Sequence, residues 1–267
     1  MQESYYKENH IYYRHNDFKA NRKTLVFVHG LSGSSSAWLH YENKFSEDYN
    51  VLTYDIRGHG KSHRYRKYSD YEIDKFTEDL YDLVTFLKLN NFIIIGHSYG
   101  VFIVLDFLKK HGEFVCGSVL LGPHFNVLKM SSAKVAKFFV DVSTKFRFPI
   151  FIKKTRKHLD YSKYLNTRDF NLRRTIADVG NTSLQVFLMC TKQSYLLDYE
   201  NLLGEIKTPV LLVSGEKDKI FPNEYAQMMA KKIPNSKIVT IKNTDHIIVL
   251  NNFKEVSEAI ENFARSF

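Results

Sequence analysis

The residues best suited to do chemistry are Gly96-His97-Ser98-Tyr99-Gly100, which follow the apolar run Phe92 to Ile95 and precede a helical stretch. A serine at so tight a strand-to-helix turn sits on strained backbone. Small residues two positions to either side relieve the crowding, which explains glycine at 96 and 100. The turn lifts the Ser98 hydroxyl above the C-terminal edge of a sheet, where open α/β folds bind ligands. A hydroxyl is a poor nucleophile until a base takes its proton, and the base needs a carboxylate to fix its tautomer. Asp218, after the run VLLVSG, and His246, after KIVTI, supply both, in the order nucleophile, acid, base. Glu216 and Asp245 compete for the acid role. Glu216 comes early in its turn, however, and Asp245 adjoins His246 in sequence, which points its side chain elsewhere. The last requirement is backbone N–H groups aimed at the charge that develops on a carbonyl oxygen. The stretch His29-Gly30-Leu31-Ser32-Gly33 follows another apolar run, Gly30 lets backbone approach a substrate, and the expected donors are the amides of Leu31 and Tyr99. His29 is expected to hold loop backbone rather than to act as a second base.

These residues need a sheet to bring them together. Short runs rich in Val, Ile, Leu and Phe read as strands at Thr24 to His29, Asn50 to Tyr54, Phe92 to Gly96, Val115 to Leu121, Val210 to Ser214 and Lys237 to Ile241. Several are nearly continuous, as strands covered on both faces should be. Helical stretches alternate with them at Tyr71 to Leu89, Tyr99 to His111, Asn223 to Lys232 and Phe253 to Phe263. That alternation predicts βα units and a mostly parallel sheet flanked by helices. The segment IYYRH before Asn21 reads as an antiparallel edge strand. Between His124 and about Lys207 the alternation stops. The helical stretches there, Ser132 to Val142, Asp169 to Val179 and Ser183 to Lys192, suit an insertion. Its aromatic run Phe146 to Ile152 either lines an apolar pocket or packs a small core.

The chain has 267 residues, 44% hydrophobic and 25% charged, a balance that excludes disordered and collagenous proteins. The polar start MQESYYKENH is unlike a signal peptide, and two cysteines, Cys116 and Cys190, read as free buried thiols, so a reducing cytoplasm is the expected setting. The net charge of +9 is concentrated. From Lys129 to Arg174 there are 13 Lys or Arg against Asp141, Asp160 and Asp169, a local balance of +10. Such a patch suits an anionic substrate or an anionic membrane surface, or is simply a solvated helical face. No nucleic-acid-binding module accompanies it. Gly60-Lys61-Ser62 mimics the end of a phosphate-binding loop, but position 55 is aspartate where that motif needs glycine. Asp55 and Arg57 are instead expected to pair locally. His59 and His63 lack the further ligands a metal site needs.

The stretches HGLSGSSSAW (29 to 38), DIRGHGKS (55 to 62), GHSYG (96 to 100), LLGP (120 to 123), SGEKD (214 to 218) and TDHII (244 to 248) together resemble the α/β-hydrolase superfamily, specifically its single-domain members with a helical lid. The resemblance implies an eight-stranded, mostly parallel sheet, with residues 1–123 and 207–267 as core and 124–206 as a lid that shapes the acyl or alcohol pocket. It also implies a Ser98, Asp218, His246 triad with neither metal nor cofactor. Epoxide hydrolases and haloalkane dehalogenases share the HG and RGHG stretches but use an aspartate nucleophile where this chain has Ser98. Proline iminopeptidases carry HGGPG where this chain has HGLSG. The reading that follows is a cofactor-independent serine hydrolase acting on a small carboxylic ester with an apolar acyl or aryl group. The alternatives are a C–C bond or enol-lactone hydrolase with the same triad, and a non-catalytic ligand-binding protein of the same fold.

Overall fold

Eight strands form one sheet: β1 (Gln2–Tyr6), β2 (Ile11–His15), β3 (Thr24–Val28), β4 (Asn50–Tyr54), β5 (Phe92–His97), β6 (Val115–Leu121), β7 (Val210–Gly215) and β8 (Ser236–Ile241). The structure is a computed structural model and describes residues 1–7, 10–129, 133–145 and 158–267. Across the sheet the order is β1-β2-β4-β3-β5-β6-β7-β8. β2 runs antiparallel to β1 and β4, and every pairing from β4 to β8 is parallel. The helices are α1 (Leu39–Phe45), α2 (Ile73–Phe86), α3 (Tyr99–His111), α4 (Ala133–Ser143), α5 (Leu172–Thr182), α6 (Leu184–Ser194), α7 (Glu200–Leu203), α8 (Asn223–Lys232), α9 (Ile248–Asn251) and α10 (Phe253–Ala264).

The near-continuous apolar strands feed two cores. Because successive side chains point to opposite faces, Val26, Val28, Ile94, Leu120 and Leu212 pack with α2, α3 and α8 on one side. Their neighbours Leu25, Phe27, Ile93, Ile95, Val119, Leu121, Leu211 and Val213 pack with α1 and α10 on the other. Each strand residue thus serves one layer or the other, which fixes register, since a one-residue slip would exchange the two sets. The register in turn sets the functional edge. Val28 pairs with Gly96, His97 with Leu121, and Leu121 with Val213, so the loops after β3, β5, β6 and β7 open side by side.

Three expectations need correction. IYYRH is antiparallel as expected but is not the edge, because β1 pairs along its whole length and Ile11, Tyr12 and Tyr13 are buried. An edge strand needs only one ladder of backbone bonds, so β1, largely exposed, carries no apolar alternation that would betray it. Cys190 is buried and free, whereas Cys116, also free, is only half-buried. It stands at the start of β6, beside the register shift between Phe92 and Ile93. Finally, Asp55 and Arg57 do not pair with each other. Arg57 makes a two-pronged ion pair with Asp79 of α2, at 2.7 Å on both oxygens. Asp55 accepts from the amides of Ser35 and Lys61 at 2.7 Å and from His158 at 2.8 Å. Among the described residues, none between β6 and β7 forms a strand, and the aromatic run 146 to 152 lies outside them.

Candidate active site

Ser98 links β5 directly to α3 with φ 53° and ψ −120°, a left-handed conformation costing roughly 1–3 kcal/mol that persists only when its surroundings enforce it. Those surroundings are the flanking glycines. A Cβ at Gly96 would stand 2.7 Å from Val104 Cγ2 and 2.8 Å from the Gly100 carbonyl oxygen, and one at Gly100 would meet the Val28 carbonyl oxygen at 2.6 Å. The Ser98 amide donates to the Leu121 carbonyl at 3.0 Å, anchoring the turn to β6.

The hydroxyl that this turn presents meets His246. Ser98 Oγ donates to His246 Nε2 at 2.8 Å, and His246 Nδ1 donates to Asp218 Oδ2 at 2.7 Å. With its Nδ1 proton engaged by the carboxylate, the neutral ring keeps Nε2 as an acceptor facing the serine. The other Asp218 oxygen accepts the amides of Ile220 and Phe221, both at 2.8 Å, so the carboxylate is pinned in the turn that carries it. The competing acids lie elsewhere. Glu216 accepts the Asn243 amide, and Asp245 accepts the Ile247 amide at 3.1 Å.

The loop after β3 lies against Ser98, since a Cβ at Gly30 would be 3.1 Å from Ser98 Cβ. The amides of Leu31 and Tyr99 find no acceptor among the described residues, and that of Tyr99 opens α3, where the helix dipole favours negative charge. His29 accepts the Ile56 amide at 3.1 Å through Nε2, so its proton is on Nδ1, which donates to the Gly30 carbonyl at 2.8 Å. Burial pushes its pKa below the usual imidazole value, and the ring holds loop backbone.

Ser98 and His246 face a cavity of about 360 Å³, within the roughly 300–1,000 Å³ of small-molecule sites. Its wall is mainly apolar, including Leu31, Phe102, Val127, Tyr161, Phe187 and Phe221. Three of these, Val127, Tyr161 and Phe187, come from the segment between β6 and β7. His124 stacks face to face on Phe221 at 3.5 Å, and burial drives its pKa down to about 3, so it adds no charge there. In the same wall, burial pushes Asp178 up to about 6, against the pull of Tyr161 and Arg174.

Two contributors carry no sequence signal. His97 Nε2 donates to the His246 carbonyl at 3.0 Å, and Asp169 accepts the His246 amide at 2.7 Å. His97 fills the variable position of a motif read for its serine. Asp169 is one of several acids in the long segment between β6 and β7, 77 residues from the histidine it touches.

A sequence model of the family described as alpha/beta hydrolase fold matches residues 23–253. Among curated relatives, a putative non-heme chloroperoxidase of Synechocystis sp. is 29% identical over 258 residues, spanning 90% of this chain and 90% of its own. A proline iminopeptidase of Saccharolobus solfataricus is 25% identical over 95% of this chain and 88% of its own. Among solved structures, Est816, described as an N-acyl homoserine lactone degrading enzyme, superposes with a TM-score of 0.77 at 21% identity, covering 98% of this chain and 100% of that one. A thermophilic esterase from Thermogutta terrifontis does so with a TM-score of 0.74 at 20% identity, covering 96% and 93%. At these identities the structural likeness is one of fold.

Proposed function

Because the chain belongs to the alpha/beta hydrolase fold family, we propose that it is a cofactor-independent serine hydrolase cleaving a carboxylic ester through an acyl-enzyme on Ser98. What carries the reading is the unbroken relay from Ser98 Oγ through His246 to Asp218, with links of 2.8 and 2.7 Å. Ser98 Oγ attacks the ester carbonyl as His246 Nε2 takes its proton, and the carbonyl electron pair moves onto oxygen, where the Leu31 and Tyr99 amides receive it. The tetrahedral intermediate collapses with the ester C–O bond breaking, and His246 returns the proton to the departing alkoxide. Water, deprotonated by the same ring, then releases the acid and restores Ser98. Asp218 keeps the imidazole in the required tautomer and stabilises its positive form.

Residues 124–206 act in this reading as a lid. Support comes from the cavity wall, to which that segment contributes apolar side chains, so an acyl or aryl ester is the favoured substrate. C–C bond and enol-lactone cleavage would use the same relay, and a panel of p-nitrophenyl esters of rising chain length against a ring-cleavage diketone separates them. The test of the nucleophile is covalent labelling with a tagged fluorophosphonate. The wild type should be labelled and Ser98→Ala not, with esterase activity falling by at least about 10³-fold. Equal labelling of both proteins, or of neither, sinks the assignment.

A further inference from the structure

His246 stands between β8 and α9, so its ring is aimed only as well as its own peptide is held. Its backbone carbonyl and its N–H are each held by a side chain. His97 Nε2 donates to the carbonyl of His246 at 3.0 Å, and Asp169 Oδ1 accepts its N–H at 2.7 Å. The second oxygen of Asp169 accepts the amide of Lys219, the residue after Asp218, at 3.3 Å. A single carboxylate from the segment between β6 and β7 therefore touches both loops that carry the relay.

Asp169 is itself fixed. Its carbonyl accepts Arg174 Nη2 at 2.8 Å, and the same guanidinium binds Thr167 Oγ1 at 2.8 Å and the Arg168 carbonyl at 3.1 Å. Asn251 of α9 donates to the Thr167 carbonyl at 2.8 Å, closing the connection back to the histidine loop. The residue is buried, and among the described residues its carboxylate has no ion-pair partner. Burial and the neighbouring Asp245 push its carboxyl above the ordinary range, while the His246 and Lys219 amides pull it back. A buried carboxylate is costly to retain unless its hydrogen bonds are specific ones. Here they are spent on the two loops that must agree for a proton to pass.

We propose that Asp169 is a positioning residue of the active site, a lid-borne carboxylate that sets the His246 ring and the Asp218 turn in register through their backbone amides. The inference rests on the hydrolytic reading of Ser98, and its test is chosen to survive failure of that reading. Asp169→Ala, Asp169→Asn and the exposed neighbour Phe170→Ala are compared with wild type in three measurements. These are steady-state hydrolysis of a p-nitrophenyl ester, the rate of fluorophosphonate labelling, and the far-downfield ring proton of the His246–Asp218 hydrogen bond by NMR, identified by its loss in His246→Gln. A displacement of reacting groups by about an ångström costs up to about 100-fold. Asp169→Ala should therefore lower kcat by about 10- to 100-fold with KM changed less than about 3-fold, slow labelling equally, and lose or shift the downfield proton while the fold and Tm persist. Asp169→Asn, which keeps one acceptor oxygen, should fall between, and Phe170→Ala should match wild type. An unchanged downfield proton in a folded Asp169→Ala protein overturns the proposal, as does a loss of activity that merely follows a lowered Tm. If wild type proves inert to both ester and label, the NMR comparison alone decides whether Asp169 orders the pair.

Discussion

A methyl group at position 100 would have nowhere to go, because the start of α3 presses its backbone onto the end of β3 with 2.6 Å between a built Cβ and the Val28 carbonyl oxygen. The obstacle is backbone on both sides, so relief requires moving the strand or the helix that presents Ser98. Gly100→Ala should destabilise the protein by about 3 kcal/mol in urea unfolding. Gly204→Ala is the matched control, since a Cβ there meets nothing within 4 Å at an ordinary φ of −73°, and it should be neutral or slightly stabilising. Equal midpoints for the two variants would refute the steric account. The contrast also explains what was legible at this scale. Gly96, Ser98, Gly100, Asp218 and His246 are readable because each is a residue type demanded at a fixed offset from a strand end. Asp169 is not, because its partners are main-chain amides that any residue would supply, and nothing in the sequence marks which acid among many will reach them.

At the scale of elements, what is readable is the period of the apolar pattern, even where, as in β8, the strand is mostly exposed. β4, β6, α3 and α8 have the boundaries that pattern alone assigns: β4, β6 and α3 are largely buried and apolar in their own period, whereas α8 buries only Tyr225, Ala226 and Met229 on one face. Between β6 and β7, α5 lies three residues beyond its predicted span, α6 begins one residue late and ends two late, and α4 ends one residue late, the predicted start at Ser132 lying outside the described residues. β1 and α1 carry no clear sequence signal, for different reasons: the first pairs without burying a face, and the second follows a short 3₁₀ turn at Ser35–Trp38 among serines that read as loop. The loop after β4 was legible as a motif but not as a connection, because its arginine reaches a helix 22 residues on. That bond gives an element-level prediction. Arg57 and Asp79 are both buried, and removing Arg57 leaves the Asp79 carboxylate with only the longer His10 contact, at 3.4 Å, among the described residues. Arg57→Leu should cost about 3–5 kcal/mol, and adding Asp79→Leu should return a substantial part of it. Chemical denaturation of the two single variants and the double variant measures the coupling. If the double variant loses the sum of the single losses, the pair does not join this loop to α2.

For the whole molecule the question is what fastens the described residues between β6 and β7 to the core loops they touch. Beside the Asp169 contacts, a second fastening joins this segment to the loops after β3 and β4. His158 donates to Asp55 at 2.8 Å, and Ser36 Oγ donates to the Leu159 carbonyl at 3.0 Å, so residues 158 and 159 hold the loops after β4 and β3 while Asp169 holds those after β7 and β8. Asp55 is fully buried. Burial alone would raise its pKa, but the hydrogen bond and charge of His158, with the Lys61 amide, outweigh it and hold the carboxyl at about 2. A carboxyl whose folded value lies below its unfolded value of about 3.9 stabilises the folded state above that pH, and the contribution drains away as the pH falls toward 2. The separation corresponds to about 2–3 kcal/mol. Wild type should therefore be more stable than Asp55→Asn by about this much at pH 5, with the gap closing between about pH 4 and pH 2 while both proteins share the acid loss of their remaining carboxylates. Thermal unfolding of the pair across that window reads the difference directly. A gap that stays constant down to pH 2 would mean that the Asp55 carboxyl gains nothing from His158, and that this side of the segment is held by packing instead of by charge.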